Sequence, residues 1–345
     1  MQPLASASEA LARYDQMLTG MHNSELLLAP MRRQEAVISS RIEGTVSTLD
    51  EVLRKQTKEI GGAGGAFRTE AMEVYLYHDA MRQVQSAIED GTPISDWLIR
   101  SAHKILLGYG RGANQSPGQY KDEQNYLVDR AQRQILFIPI SPEHLPVGME
   151  KLFSFMENEK YEALIRTAMT HIEFEALHPF KDGIGRIGRM LITLMLWKLG
   201  KISAPHIYIS GYLEQRRDEY VERMREVLKS GEWTEWIVFF LDALEKQAQH
   251  NLQIAEDIAK LYDQMKEEFR NVLSSKWSTV ALDFIFGQPI FWNNQFTSKS
   301  GIPKPTAIKI AKALAENDLL TNIQPASGRR AALYVFEPLM EIVRA

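Results

Sequence analysis

The sequence predicts a mostly α-helical protein with one short β-hairpin and, in its last seventy residues, a winged helix-turn-helix unit. Three observations lead there. Helical periodicity dominates residues 25–269, with few stretches of strict alternation. Residues 190–199 are apolar on nearly every side, as in a helix buried at the centre of a core. Beyond Ser274 and Ser275 the pattern breaks into short helix- and strand-sized segments punctuated by Pro and Gly.

At 345 residues, 45% hydrophobic and 24% charged, the chain has ordinary globular composition and the length for a large core plus one smaller unit. The net charge of −4 argues against general attraction to nucleic acid or to an anionic membrane. Cysteine is absent, which excludes disulfides, thiolate zinc sites and cysteine nucleophiles. Before Arg32 the only arginine is Arg13, and no long apolar run accompanies it, so a secretory signal is not expected. The most apolar run, residues 190–199, is interrupted by Lys198 and falls short of the roughly 18 residues of a membrane span. A cytoplasmic protein without membrane attachment is the expectation.

Along the chain, residues 61–65 (GGAGG) lack the following Lys-Ser/Thr and preceding apolar strand of a phosphate loop and read as a linker. Residues 135–142 (ILFIPISP) are β-branched and proline-punctuated, fitting a hairpin or edge strand able to receive a peptide by strand addition. In residues 161–177 apolar side chains at 161, 164, 165, 168, 169, 172 and 176 form a helical stripe that delivers His178 just past the helix end, where Pro179 stops it. Gly200 suits the end of the next helix, and the Met and aromatic stripe of residues 239–261 suits core or dimer packing. Residues 279–286 and 305–317 read as helices, and 319–324 and 331–336 as strands around a turn. This segment, residues 276–345, has eight Lys/Arg against five Asp/Glu, a net +3 that leaves −7 for the rest. Lys304, Lys309, Lys312, Arg329 and Arg330 fall on its recognition helix and wing, so DNA is a candidate partner alongside simple protein docking.

The most informative run is HPFKDGIGRIGR, residues 178–189. It holds the parts of a triphosphate site: a histidine to accept a proton, a carboxylate for a divalent cation, and glycines that let backbone N–H groups approach phosphate. Arg189 adds a bidentate partner for a terminal phosphate. His171 and Glu175 lie nearby, but the spacing His-x₃-Glu-x₂-His is not that of a zinc protease, so a packed, hydrogen-bonded His171 is expected instead of a metal ligand. Glu43, four residues after Ser39, reads by itself as one side of a solvated helix face.

The run resembles the motif of the Fic-domain family, His-Pro-Phe-x-Asp/Glu-Gly-Asn-Gly/Lys-Arg-x-x-Arg, matching eleven of twelve places. QEAVISSRIEGT, residues 34–45, looks like the family's Ser/Thr-x-x-x-Glu-Gly/Asn inhibitory helix, with Ser39, Glu43 and Gly44 at its defining places. PGQY, QNY and the stretch at residues 207–220 look like further landmarks, so the resemblance covers nearly the whole chain. It implies an all-helical Fic core with a hairpin flap, divided here as residues 1–110 (helical region with inhibitory helix), 111–275 (catalytic core and following helices) and 276–345 (winged helix). The implied reaction is transfer of AMP from ATP, with Mg²⁺, to a Ser, Thr or Tyr hydroxyl of a target protein, the chain itself included. His178 would take the hydroxyl proton and Asp182 would hold Mg²⁺. Gly183, Ile184, Gly185, Arg186, Ile187, Gly188 and Arg189 would line the phosphates, Tyr212 would touch adenine or ribose, and Phe137, Ile138, Pro139 and Ile140 would align the target. Glu43 would inhibit by taking Arg189 from the γ-phosphate. A homodimer is the family expectation.

Two positions depart from the pattern. Ile184 stands where the motif has Asn and cannot hydrogen-bond phosphate, and Arg216 stands where many relatives carry Asn. Losing one such donor costs about 10²- to 10³-fold in rate. The sequence therefore leaves two alternatives to a self-inhibited adenylyltransferase: a nucleotide-responsive DNA-binding regulator with degenerate catalysis, and the reverse reaction, removal of AMP.

Overall fold

A computed structural model describes residues 2–56, 69–129, 134–328 and 330–344, so the glycine run at 61–65 and Arg329 lie outside the described residues. The chain opens with α1 (Gln2–Gly20), α2 (Ser24–Leu27), α3 (Ala29–Ile42) and α4 (Leu49–Gln56), followed by α5 (Thr69–Glu89) and α6 (Asp96–Leu106). A two-stranded antiparallel hairpin comes next, β1 (Leu127–Asp129) with β2 (Gln134–Phe137). The central helices are α7 (Leu145–Met156), α8 (Ala163–Leu177) and α9 (Ile184–Lys198), then α10 (Ser210–Gln215), α11 (Arg217–Ser230) and α12 (Thr234–Leu273).

The mostly helical class stands, and the core follows from it. Every residue of α9 from Ile184 to Leu196 is buried, so this helix is wrapped on all sides, by α8, α6, α5 and α3. The forty-residue α12 is the backbone of the assembly: α1 packs along it, and Trp236, fully buried, donates its indole N–H to the Ala168 carbonyl of α8 at 2.9 Å. The stripe at residues 239–261 thus packs within the chain, with Phe239, Phe240, Leu241, Leu244 and Ile258 buried.

Three boundaries differ from the expectation. The central helix begins at Ile184, six residues before the apolar run, because Gly183 takes a left-handed conformation (φ 78°) and lets the chain enter a helix directly. Gly185, Arg186, Gly188 and Arg189 therefore belong to its first turns and not to a loop. The expected strand 135–142 ends at Phe137; Ile138, Pro139 and Ile140 lie beyond it, and the Pro139 carbonyl is tied down by Gln124 Nε2 at 2.8 Å. The C-terminal unit runs α13 (Ser278–Gly287), β3 (Ile290–Trp292), α14 (Asn293–Lys299), α15 (Lys304–Glu316), β4 (Thr321–Gln324), β5 (Leu333–Val335) and α16 (Glu337–Arg344), with strand order β3-β5-β4, all antiparallel. Of these, two helices and a strand, α14, α16 and β3, are elements that the periodicity did not announce. Among the described residues no helix is long and apolar enough to cross a membrane.

Trp236 joins α12 to α8 by both area and hydrogen bond, so Trp236→Ala is expected to destabilise the chain by about 3–5 kcal/mol. Urea or thermal unfolding measures this; a loss within scatter would mean that α12 is not the packing axis.

Candidate active site

The local chain geometry makes the site. Glu162 caps α8 by accepting the Leu164 N–H at 2.7 Å, and the helix ends at His178, which adopts a left-handed conformation (φ 46°, ψ 61°) uncommon for a non-glycine residue. Pro179 cannot continue the helix. The loop 178–183 is then pinned from four sides. His103 of α6 accepts the Gly118 N–H at Nδ1 (2.9 Å), which leaves Nε2 to donate to the Asp182 carbonyl (3.0 Å), and its ring stacks on Phe180 at 3.7 Å. Asn125 Nδ2 donates to the Phe180 carbonyl (2.9 Å), the Lys121 N–H to the Pro179 carbonyl (2.9 Å), and Lys121 Nζ to the Leu177 carbonyl (3.2 Å).

His178 faces this frame as a neutral base. Its Nδ1 lies 3.4 Å from the Glu175 carbonyl, an acceptor only, so Nδ1 carries the proton and Nε2 the lone pair. Burial pushes its pKa down to about 4, and the nearby Lys121 ammonium pushes the same way. Burial likewise lowers Lys121 to about 8. Asp182 is half-exposed; its Oδ1 accepts the Gly183 N–H at 2.6 Å and lies 3.5 Å from Arg186 Nη2.

Arg189 is 1% exposed, and its partners come from α3. Nε donates to Ser39 Oγ at 2.9 Å, and Nη2 to the Ser39 carbonyl at 2.8 Å and to Glu43 Oε1 at 2.9 Å. Burial alone would raise the Glu43 carboxyl, but Arg189 beside it holds it below the usual carboxylate range. Burial likewise opposes the charge of Arg189, and Glu43 more than restores it. The Glu43 carboxylate sits directly over Gly185, where a Cβ would collide with Oε1. It thereby lies against the first turn of α9, whose N–H groups and dipole attract an anion. Gly44 (φ 86°) turns the chain away as α3 ends. His171 is saturated: Nδ1 donates to the Gly188 carbonyl (3.2 Å) and Nε2 accepts from Tyr220 Oη (2.7 Å), and burial lowers it to about 3. Glu175, buried beside Gly188 with its Oε1 unpartnered, is raised to about 8 by burial and by the charge of Glu43.

The structure therefore brings together His178, Asp182, Gly183, Gly185, Arg186, Gly188, Arg189, Ser39 and Glu43. Ile184 and Ile187 are buried in the apolar core. The hydroxyl of Tyr212 bonds Asp242 of α12, and Arg216 donates to that hydroxyl at 2.7 Å and lies 5.5 Å over its ring. Sequence reasoning did not select His103, Lys121, Asn125 or Glu175 for these roles. Lys121 immediately follows PGQY and Asn125 lies within QNY, so those landmarks were the available signal.

Two Fic/DOC profiles match in tandem, the family's N-terminal model over residues 1–86 and the Fic model over residues 93–196. The chain belongs to the Fic/DOC family. It is 27% identical over 205 residues to a probable protein adenylyltransferase of Aquifex aeolicus (59% of this chain, 57% of that one) and 26% identical over 182 residues to the protein adenylyltransferase Fic of Nematostella vectensis (50% and 40%). The chain spans about half the length of the curated relatives it matches. Among solved structures, a Fic family protein of Desulfovibrio desulfuricans shares the fold over 96% of this chain and 95% of its own (TM-score 0.57, 21% identity). A Fic domain containing signaling protein of Bacteroides thetaiotaomicron does so over 74% and 97% (TM-score 0.59, 18% identity).

Because its pKa lies below the ordinary value of about 6.5, His178 contributes stability that is present above 6.5 and lost as pH falls toward 4. Its imidazole proton resonances are expected to titrate with a midpoint near 4; a midpoint above 6 would place the ring in open solvent.

Proposed function

We propose that this Fic-family chain is a self-inhibited protein adenylyltransferase that uses ATP and Mg²⁺ and transfers AMP to a Ser, Thr or Tyr hydroxyl. The observation that carries the reading is the Glu43–Arg189 pair lying over Gly185 at the positive end of α9, beside a neutral histidine. A triphosphate needs the same guanidinium and the same helix terminus, so Glu43 and the γ-phosphate compete for one place.

In the active form, His178 Nε2 takes the proton of the target hydroxyl as its oxygen bonds the α-phosphorus. The bond from the α-phosphorus to the bridging oxygen breaks, and pyrophosphate leaves with that electron pair. Arg186 and Arg189 hold phosphate oxygens, and the N–H groups of the Gly183–Gly185 turn cradle them. The donor set suits Mg²⁺: among the described residues no cluster of three ligating side chains exists, and a single half-exposed Asp182 carboxylate matches an ion that takes its other oxygens from phosphates and water. The ion would neutralise charge on the phosphate oxygens. The hairpin β1–β2, with Phe137 at its end, offers an edge for the target's backbone, and Ile138, 54% exposed, flanks it.

With labelled ATP, Glu43→Gly is expected to raise protein labelling by at least about tenfold over the native chain, and Glu43→Gly/His178→Ala to lose it. No label in any form, on the chain itself or on added proteins, would remove the transferase reading.

Ile184 leaves the phosphate cradle one side-chain donor short. In the Glu43→Gly background, Ile184→Asn is expected to raise the transfer rate, by up to about 10²-fold. An unchanged rate with an unchanged melting temperature would show that this position does not limit transfer.

A further inference from the structure

The C-terminal unit presents a helix with a basic face that is exposed among the described residues. Helix α15 buries Ala307, Ile310, Ala311 and Leu314 against α14 and α12, while Lys304, Ile308, Lys309 and Lys312 stand exposed on the opposite side. Glu316, in the last turn, is the one acidic residue of the helix; it lies 3.5 Å from Lys312 Nζ in a solvent-exposed pair that a phosphate can replace. Arg330, also exposed, lies in the turn between β4 and β5, closed by the Ser327–Arg330 bridge. The unit is net positive in a chain that is otherwise net negative. Helix α14, the turn 300–303 and α15 form a helix-turn-helix whose second helix is the exposed one. We propose that this face docks on the phosphate backbone of duplex DNA, with α15 lying in the major groove. From Lys304 to Lys312 the helix advances about 12 Å, comparable to the width of that groove, and its own diameter of about 10–12 Å fits it.

The test is fluorescence anisotropy of the full chain with a labelled mixed-sequence duplex of about 25 base pairs. Three to four phosphate contacts predict a log–log salt slope near −3, so affinity falls on the order of 60-fold between 50 and 200 mM salt. Lys309→Glu/Lys312→Glu is expected to weaken binding at least tenfold, while Lys229→Glu/Lys246→Glu, on exposed parts of α11 and α12, leaves it unchanged. No binding at 50 mM salt, equal loss in both variants, or equal capture of poly-glutamate by competition would overturn the proposal, the last in favour of an acidic protein partner.

The same unit also grips the inhibitory segment at both ends, independently of any DNA. Arg33 of α3 donates to the Gly287 carbonyl that ends α13 (2.9 Å), and Arg344 of α16 forks onto both oxygens of Asp50 in α4 (2.8 and 2.6 Å). Ser39 and Glu43 lie between these two ties, and α16 packs on α3 as β3 packs on α4. The geometry points to a clamp that holds Glu43 on Arg189, an inference that rests on the inhibitory role proposed above. Arg344→Glu is expected to speed amide hydrogen exchange in residues 29–44 and to raise ATP-dependent labelling by about two- to fivefold, with Arg344→Glu/Asp50→Arg restoring both. Unchanged exchange in the single variant overturns the clamp. Silence of Glu43→Gly in the labelling assay overturns the inhibitory role instead, and the exchange result still decides the clamp.

Discussion

A guanidinium that water cannot reach organises this molecule. Arg189 sits in the second turn of a helix buried on every side, and an isolated charge there would cost several kcal/mol, a large share of the stability of a fold. Ser39 and Glu43 supply the compensation from a helix 146 to 150 residues earlier in the chain. The arrangement is complete only while an anion is present. Whatever displaces Glu43 must bring negative charge and several oxygen acceptors, which is a description of a phosphate chain. On the proposed reading, inhibition and substrate binding are then two solutions to one electrostatic problem.

That constraint requires α3 to be held in place. Its position is fixed by polar contacts as well as by packing: buried Glu35 accepts both the hydroxyl (2.5 Å) and N–H (3.2 Å) of Ser210, Arg217 donates to the Ile42 carbonyl at 3.3 Å, and at the surface Arg41 pairs with Glu214. Glu35 is raised to about 7 by burial, so near neutrality this helix is held partly by a neutral acid. These three ties lead to α10 and to Arg217, the first residue of α11, and Tyr212 sits on α10, bonded to α12. Tyr212, expected to meet the nucleoside, and the residues that hold α3 are therefore parts of one platform.

How much of this was legible depends on range. His178, Asp182 and the glycines are close in sequence, and their chemistry is local, so twelve residues announced them. The Glu43–Arg189 pair was legible only through resemblance, since by type and spacing Glu43 is an ordinary surface residue. The pinning of the loop was not legible: Lys121, His103 and Asn125 act through carbonyls of residues 177–182, and backbone acceptors leave no mark in a sequence. The first turns of α9 were misjudged for a related reason. Two glycines and two arginines in six residues erase the apolar periodicity, and the helix forms there because Gly183 starts it and the core encloses it. In the C-terminal unit, α14 (NNQFTSK) was hidden by its polar composition, since Phe296 is its single large apolar anchor.

Ile184 brings these strands together. It occupies the first position of α9, immediately after the left-handed Gly183, and its side chain joins the apolar core with only 5% of its surface exposed. An amide there would have a hydrogen-bonding duty that a buried aliphatic chain cannot perform, yet the backbone N–H groups of the same turn are untouched by the exchange. The cradle thus keeps its main-chain donors, its two arginines and its base, and gives up one side-chain donor for tighter packing of the helix start. If the site works as proposed, with the buried charge of Arg189 as its dominant electrostatic feature, nucleotide affinity follows mainly from the competition with Glu43, whereas Ile184 acts on the alignment of the α-phosphate. The two effects are separable in physical origin: one sets whether a triphosphate is admitted, the other how well its reacting phosphorus is held beside His178.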